Sequence, residues 1–502
     1  MNARLRFLAL GAPLAAASLV FLASCSVGPD FKRPAAPDVT GYTPEKLSPD
    51  TASADIAGGA AQHFAAGQDI PAEWWTLFHS EPLNALVKEA LAANPDLQAA
   101  QAALRQSQEL VYAQEGAFLP TVDAGAQVER QKFNSASVGG STHEIYNYST
   151  ATVSVSYGLD VFGGERRQLE STQAQAQYQR FELEAAYLTL TSNVVAAAIQ
   201  ESSLRAQITA TQDIIDGQSK QLDVLNQQFA LGGVAKSAVL QQAAILAQSR
   251  ASLPPLQKQL AQARNRIAAL AGRFPSQDTP QTFELSALQL PENLPLSLPS
   301  QLVEQRPDVR ASEAQLHEAS AQVGVATANM LPQFTISGDI GSAALGLGSN
   351  LFTPGSGIWS LAAGATQPIF HGGTLFHEKR AAEADYDEAA AQYRSTVIAA
   401  FQNVADALRA LQADADTLNA ALAASKASGD SLNLAQDQFK LGAITYPALL
   451  DSETAYQQTQ IALVQAQANR FADTAALFQA LGGGWWNRKD DVAADSGANK
   501  TN

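Results

Sequence analysis

The stretch from Phe162 to Leu231 contains no proline, and its glycines are confined to Gly163, Gly164 and Gly217. Its second half places Leu204, Ile208, Thr211, Ile215, Gln218, Leu222, Leu225 and Phe229 at alternating four- and three-residue steps. Such a heptad seam predicts one helix packed lengthwise on other helices. At ~1.5 Å per residue, roughly 65 residues span about 100 Å, whereas helices in globular proteins average ~10–14 residues. A chain carrying such a helix is not an ordinary globular domain.

The same pattern returns later in the chain. Arg306-Pro307-Asp308-Val309 echoes Asn94-Pro95-Asp96-Leu97, and Leu331-Pro332 echoes Leu119-Pro120, both at an offset of 212 residues. Phe370-His371-Gly372-Gly373 answers Phe162-Gly163-Gly164. Gln438–Gly442 (QFKLG) answers Gln228–Gly232 (QFALG), and Ala480-Leu481-Gly482 answers Leu270-Ala271-Gly272. The chain therefore reads as a duplicated unit of helix, hairpin, long helix and return helix. Repeat 1 occupies 81–273 and repeat 2 occupies 299–484, joined by a proline-rich linker at 274–298. A linker rich in Pro, Ala, Gly, Ser and Thr fills 25–80, apart from a short helix at Trp74-Trp75, and a tail closes the chain at 485–502.

Each repeat breaks its helical pattern once for residues of period two. In 120–161, Val122, Ala124, Ala126 and Val128 alternate with Asp123, Gly125, Gln127 and Glu129. Val153, Val155 and Tyr157 alternate with Thr152, Ser154 and Ser156. In 332–370, Phe334, Ile336 and Ile340 alternate with Thr335, Ser337 and Asp339. A half-buried soluble hairpin would show this alternation. The strand length and the small polar residues, Thr152, Ser154, Ser156, Thr335 and Ser337, favour a membrane barrel hairpin. Its predicted lumen face then includes Asp123, Gln127, Glu129, Asp160 and Asp339, where acids outnumber bases and predict a preference for cations. Two hairpins give four strands, while membrane barrels close and start at about 8. Copies of the chain must supply the rest, and three in cyclic symmetry give a twelve-stranded barrel.

The start of the chain is an address. Arg4 and Arg6 precede an apolar run from Phe7 to Ala23, which reads as a signal peptide over 1–24. Leu22-Ala23-Ser24-Cys25 resembles the bacterial lipobox, whose cysteine becomes an acylated mature N-terminus. Cys25 is the only cysteine, so no intrachain disulfide forms. Ser26 behind it suits sorting to the outer membrane. The net charge of -16 argues against nucleic acid as a partner. No later stretch approaches the ~20 apolar residues of a membrane helix.

Taken in order, Cys25–Phe31 with Arg33-Pro34, Trp74-Trp75, Asp160–Arg166, Leu298–Val309, Gln367–Gly373 and Ala480–Trp486 resemble the outer membrane factors of tripartite efflux systems. The branch is that of the NodT-type outer membrane lipoproteins. The resemblance covers nearly the whole mature chain. It implies a homotrimer sharing one twelve-stranded β-barrel that continues into an α-helical barrel across the periplasm of a Gram-negative bacterium. It also implies a passive exit duct, anchored by Cys25 in outer membrane lipid, that docks a periplasmic adaptor and an inner-membrane pump of the resistance-nodulation-division type. The turns holding Leu231, Gly232, Gly233, Leu441 and Gly442 are the implied adaptor contacts.

The resemblance places a gate where the second long helix turns back. Asp451 stands at the position of a ring-forming aspartate, with Leu450 beside it and Phe439 across the turn. Phe439, Ile444 and Ala448 replace the polar residues that members often carry nearby, which shifts the closing toward an apolar constriction. The alternative is that Asp451 caps or solvates the start of its helix. An enzyme is disfavoured: the six histidines are scattered, and His371 and His377 miss the i, i+4 spacing of a metal pair. No cofactor or metal site is predicted. A lipid-anchored adaptor, the other rival, would carry one helical hairpin and no duplication.

Overall fold

The computed structural model describes residues 26–134, 143–348 and 350–488. The signal peptide and Cys25 lie outside the described residues. In chain order the first repeat contains α1 (Glu81–Ala93), α2 (Pro95–Glu115), β2 (Thr121–Asn134), β3 (His143–Leu159), α3 (Gly164–Ala230) and α4 (Lys236–Leu270), preceded by the short strand β1 (His63–Ala66). A second short strand, β4 (Asn293–Leu296), opens the next series. It continues with α5 (Pro299–Gln305), α6 (Pro307–Ala328), β5 (Gln333–Leu345), β6 (Gly357–Thr366), α7 (Thr374–Lys440) and α8 (Tyr446–Ala480). Helices α3 and α7 are each 67 residues long, and α4 and α8 each 35. No helix among the described residues is long and apolar enough to cross a membrane.

The chain forms two compact units, each drawing on both repeats, so the repeats are not the compact bodies. One gathers residues 26–34, Ala103–Gln179 and Ser312–Tyr393; the other gathers Ala35–Ala102, Arg180–Ala311 and residues 394–488.

The first unit holds an antiparallel sheet in the order β2-β3-β5-β6, so the two hairpins join through β3 and β5. Asp123 lies opposite Ser154, Ser154 opposite Asp339, and Asp339 opposite Ser360. This register sets the sequence's polar residues on one face, because residues directly opposite in an antiparallel pair share a face. The other face carries Val122, Val128, Val153, Ile340, Trp359 and Leu361, with Trp359 79% and Leu361 74% exposed. β2 and β6 are the sheet's edges. Both strands of the first hairpin outrun the predicted alternation, which covered 121–129 and 146–160. They pair from Thr121–Ser156 out to Asn134–His143, through charged and aromatic residues that break period two.

The amino-terminal segment is clamped in the same unit. The Val27 N–H donates to the Phe162 carbonyl at 3.0 Å, next to the junction of β3 and α3. Arg167, buried on α3, donates from Nε to the Val27 carbonyl at 3.0 Å and pairs with Asp30 at 2.7 Å. Phe31 stacks on His317 with ring centroids 4.2 Å apart.

The second unit is helical, and the duplication is visible in its bonds. Asn94 donates from its side chain to the Leu270 carbonyl at 3.0 Å. At the matching place in the second repeat, Arg306 donates to the Ala480 carbonyl at 2.9 Å. Each bond satisfies a carbonyl at a helix C-terminus that has no intrahelical donor. Pro254 and Pro255 lie within α4. Trp74, Trp75 and Phe78 are buried, and Trp74 stacks on Phe478 at 5.3 Å.

Both predicted linkers are built into this unit rather than left as extended chain. β1 and β4 pair in parallel, His63 opposite Asn293 through Ala66 opposite Leu296. Arg470 of α8 is fully buried and donates from Nη2 to Thr51 Oγ1 at 3.1 Å and to the Ala60 carbonyl at 2.9 Å. Glu201, buried on α3, pairs with Arg205 and Arg264 and accepts from the Phe283 N–H of the second linker. A buried carboxylate is tolerable when its oxygens are satisfied in this way. The predicted carboxy-terminal tail also begins packed: Trp485 Nε1 donates to the Gln305 carbonyl at 2.7 Å, and Asn487 donates to Asp69 and to the Ile70 carbonyl.

Candidate functional site

Two parts of the chain hold the predicted site residues: the polar face of the sheet in one unit and the helical turns in the other.

On the sheet, Asp123, Gln127, Glu129 and Asp339 share one face. Gln127 lies opposite Thr150 and Glu129 opposite Tyr148. Asp339 is held from both sides. Ser154 donates to its Oδ1 at 2.6 Å and Ser360 to its Oδ2 at 2.9 Å. These donors hold the carboxylate upright in the middle of a transverse row whose far end is Asp123. Asp160 does not belong to this wall. β3 ends at Leu159, and the Asp160 carboxylate accepts from the Glu165 N–H at 3.0 Å, the Arg166 N–H at 3.1 Å and Arg166 Nε at 3.0 Å. It caps the first turn of α3, where the helix dipole favours a negative charge.

The two turns between long and return helices are built alike. After α3, Gly232 adopts φ of +77°, and the Gly233 N–H donates to the Gln228 carbonyl at 2.8 Å. After α7, Gly442 adopts φ of +73°, and the Ala443 N–H donates to the Gln438 carbonyl at 2.8 Å. Glycine takes this left-handed conformation without strain and so ends both helices. The leucine before each glycine is left outside: Leu231 is 88% and Leu441 84% exposed.

Beneath these turns Leu225, Ala238, Ala435, Tyr446 and Leu449 form a small core, with Phe439, Ile444 and Leu450 packed against it. The Phe439 and Tyr446 rings meet edge to face at 5.8 Å. Of the three residues predicted for a gate, Phe439 and Leu450 thus pack on their own chain, and Asp451 on α8 is exposed.

Reading the sequence missed the polar chain below this core. The buried Tyr446 hydroxyl donates to Gln242 Oε1, and Gln242 Nε2 donates to the Gln218 carbonyl at 3.1 Å. Burial pushes the Tyr446 hydroxyl well above its ordinary range, and the nearby Glu453 carboxyl adds to the shift. Burial also pushes Glu453 up to about 7, against the pull of a hydrogen bond from the Gln242 side chain. The signal was present, since Tyr446, Leu449 and Glu453 fall at three- and four-residue steps on one helix face.

The family model described as outer membrane efflux protein matches the chain twice, over residues 86–273 and 298–483. The chain belongs to the outer membrane efflux protein family. It is an outer membrane channel of an efflux pump, and the family is one of channels rather than enzymes. Among its relatives is the pyoverdine export outer membrane protein OpmQ of Pseudomonas putida, 29% identical over 436 residues, 86% of this chain and 92% of the relative. The cation efflux system protein CusC of Escherichia coli O6:H1 is 26% identical over 92% of this chain and 96% of its own. The solved structure of the outer-membrane channel OprN superposes with a TM-score of 0.82 at 28% identity, covering 92% of this chain and all of that one. The fold of this efflux channel family therefore spans nearly the whole chain.

Proposed function

We propose that three copies of this chain close a twelve-stranded barrel in the outer membrane and serve as the exit duct of a tripartite pump. The observation that carries this reading is the four-stranded sheet with β2 and β6 at its edges and one apolar, exposed face. An open sheet edge is not tolerated in hydrocarbon. The β2 edge of one copy pairs with the β6 edge of the next. Two copies would give eight strands, an interior that side chains fill; three leave an aqueous lumen. Asp123, Gln127, Glu129 and Asp339 line that lumen, and each repeat, 81–273 and 299–484, supplies one hairpin.

Cys25 is the lipid anchor. The bond from Val27 to Phe162 supports this, since it fixes the residue after next to Cys25 beside the place where the hairpin leaves its sheet. Acyl chains there reach the inner leaflet of the outer membrane.

The turns carrying Leu231, Gly232, Gly233, Leu441 and Gly442 dock a periplasmic adaptor, and their two exposed leucines supply its apolar footing. An inner-membrane pump of the resistance-nodulation-division type drives transport and selects the cargo. The relatives' names support that division of labour, because pyoverdine export and cation efflux are served by similar chains.

Asp451 closes the periplasmic end as a ring of three carboxylates, with Leu450 and Phe439 holding its helix in place from behind. Like charges meeting on an axis repel one another and attract cations. In planar bilayers Asp451→Ala raises single-channel conductance and abolishes block by multivalent cations. Unchanged conductance with unchanged block removes Asp451 from the gate, and absence of any conductance from the purified protein overturns the duct.

A further inference from the structure

A cavity of about 310 Å³ opens between α3, α7 and α8, lined by Asp213, Gly217, Gln218, Leu432, Glu453 and Tyr456 among others. Two acceptors on it stand out. Glu453 Oε2 and Gln218 Oε1 both belong to residues lining it, and neither accepts a hydrogen bond from any donor among the described residues. Both residues are buried, Glu453 8% and Gln218 4% exposed. A buried acceptor left unmatched costs about 1–3 kcal/mol, and more when charged. Two such acceptors on one cavity call for a donor brought from outside.

The donor is constrained by what else lines the space. Among the described residues no group of three or more His, Cys, Asp or Glu side chains is arranged to hold a metal ion. Calcium takes 6–8 oxygens, and the two unmatched acceptors, one from a carboxylate and one from an amide, fall short of that. The rest of the wall is mixed: Leu432 is apolar, Tyr456 offers an aromatic face, and the exposed Asp213 adds a second negative charge at the rim. An ammonium group carries three donors and no acceptor. It complements two acceptor oxygens, and an aliphatic body suits the apolar wall beyond them. The volume is at the lower end of ligand pockets, which run from about 300 Å³.

We propose that this cavity is a binding site for a small aliphatic ammonium ion, held by Glu453 and Gln218. The site lies within one chain and does not include Asp451, which stands two residues before Glu453 and is exposed on a different face of α8. Its occupancy is read without conductance, so its failure and the failure of the gate reading are distinguishable.

The test uses the full-length protein purified in detergent, titrated calorimetrically with n-butylammonium chloride at pH 8. Neutral n-butanol and sodium chloride serve as the matched controls. The expected result is saturable binding of one n-butylammonium per chain, at least roughly tenfold tighter than n-butanol, a factor equivalent to one ordinary charge-assisted contact. Glu453→Gln abolishes the preference for the cation. Gly217→Leu blocks the cavity while leaving the carboxylate in place; a Cβ there meets nothing within 4 Å, so the helix accepts it. Equal binding of n-butanol reduces the site to an apolar hollow and overturns the proposal. A preference for the cation that survives Glu453→Gln, or binding that survives Gly217→Leu, places the ion elsewhere. No saturable binding of any probe means that the two oxygens are satisfied by water, and the proposal falls.

Discussion

Gly28 and Gly324 approach so closely that a Cβ built on Gly28 would lie 2.4 Å from the Gly324 Cα. Gly28 also holds φ of +92°, which side-chain-bearing residues rarely adopt. On the other side of Gly324, a Cβ would meet Arg167 Cγ at 2.7 Å. The three residues pin the segment that follows Cys25 onto α3 and α6. Gly324→Val is therefore expected to lift residues 26–34 from their seat, at a cost of about 1–3 kcal/mol for overpacking. Trypsin should then cut the purified protein faster after Lys32. A cleavage rate equal to that of the unaltered protein would show that the seat tolerates the side chain.

The buried carboxyl of Glu453 makes the helical turns sensitive to pH. Asp213 of α3 and Tyr456 of its own helix line the same cavity, Gln242 of α4 bonds to it and Tyr446 feels its charge; Leu432 and Gln436 of α7 bring no charge. Its proton is held from about 4.5 up to about 7 in the folded chain. The folded state therefore binds more protons than the unfolded one across that window, and stability falls as pH rises through 7. Amide exchange in residues 236–246 and 446–453, corrected for intrinsic rates, should show roughly 1–3 kcal/mol less protection at pH 8 than at pH 5. Glu453→Gln should flatten the difference. Protection that is constant with pH in the unaltered protein would mean that Glu453 is ionised throughout.

The row from Asp123 to Ser360 predicts the selectivity of the barrel. Asp339 is fixed by two serine donors, so its charge is held on the polar face of the sheet, the face proposed to line the lumen. Under a salt gradient the open channel should favour cations, and Asp123→Asn with Asp339→Asn should move the reversal potential toward zero. A reversal potential already near zero in the unaltered channel would contradict the assignment of this face to the lumen.

Most of the architecture was legible because it repeats. The length of α3 and α7, the turns after Leu231 and Leu441, and the alternation of Val122–Val128 against Asp123–Glu129 are local patterns, fixed by periods of 3.6 and 2. The packed linkers were not legible. His63–Ala66 and Asn293–Leu296 are four residues each, too short for a period, and their pairing joins distant parts of the chain. The tie from Arg470 to Thr51 has the same character, since nothing near Arg470 announces its partner. Asp160 misled for a different reason. It keeps the parity of the polar face, but the strand ends one residue before it, and the free amides of a helix start claim its carboxylate. At the turns, resemblance pointed to Asp451, of which the structure shows only that it is exposed, whereas Gln242 and Glu453 become a pair only once α4 packs on α8.

In the proposed duct the unpaired edges of β2 and β6 are closed by copies of the same chain. Native mass spectrometry of the full-length protein released from detergent counts those copies directly. One dominant species of three chains is expected, dissociating on heating in sodium dodecyl sulfate. A stable monomer or dimer that still conducts in planar bilayers would contradict it.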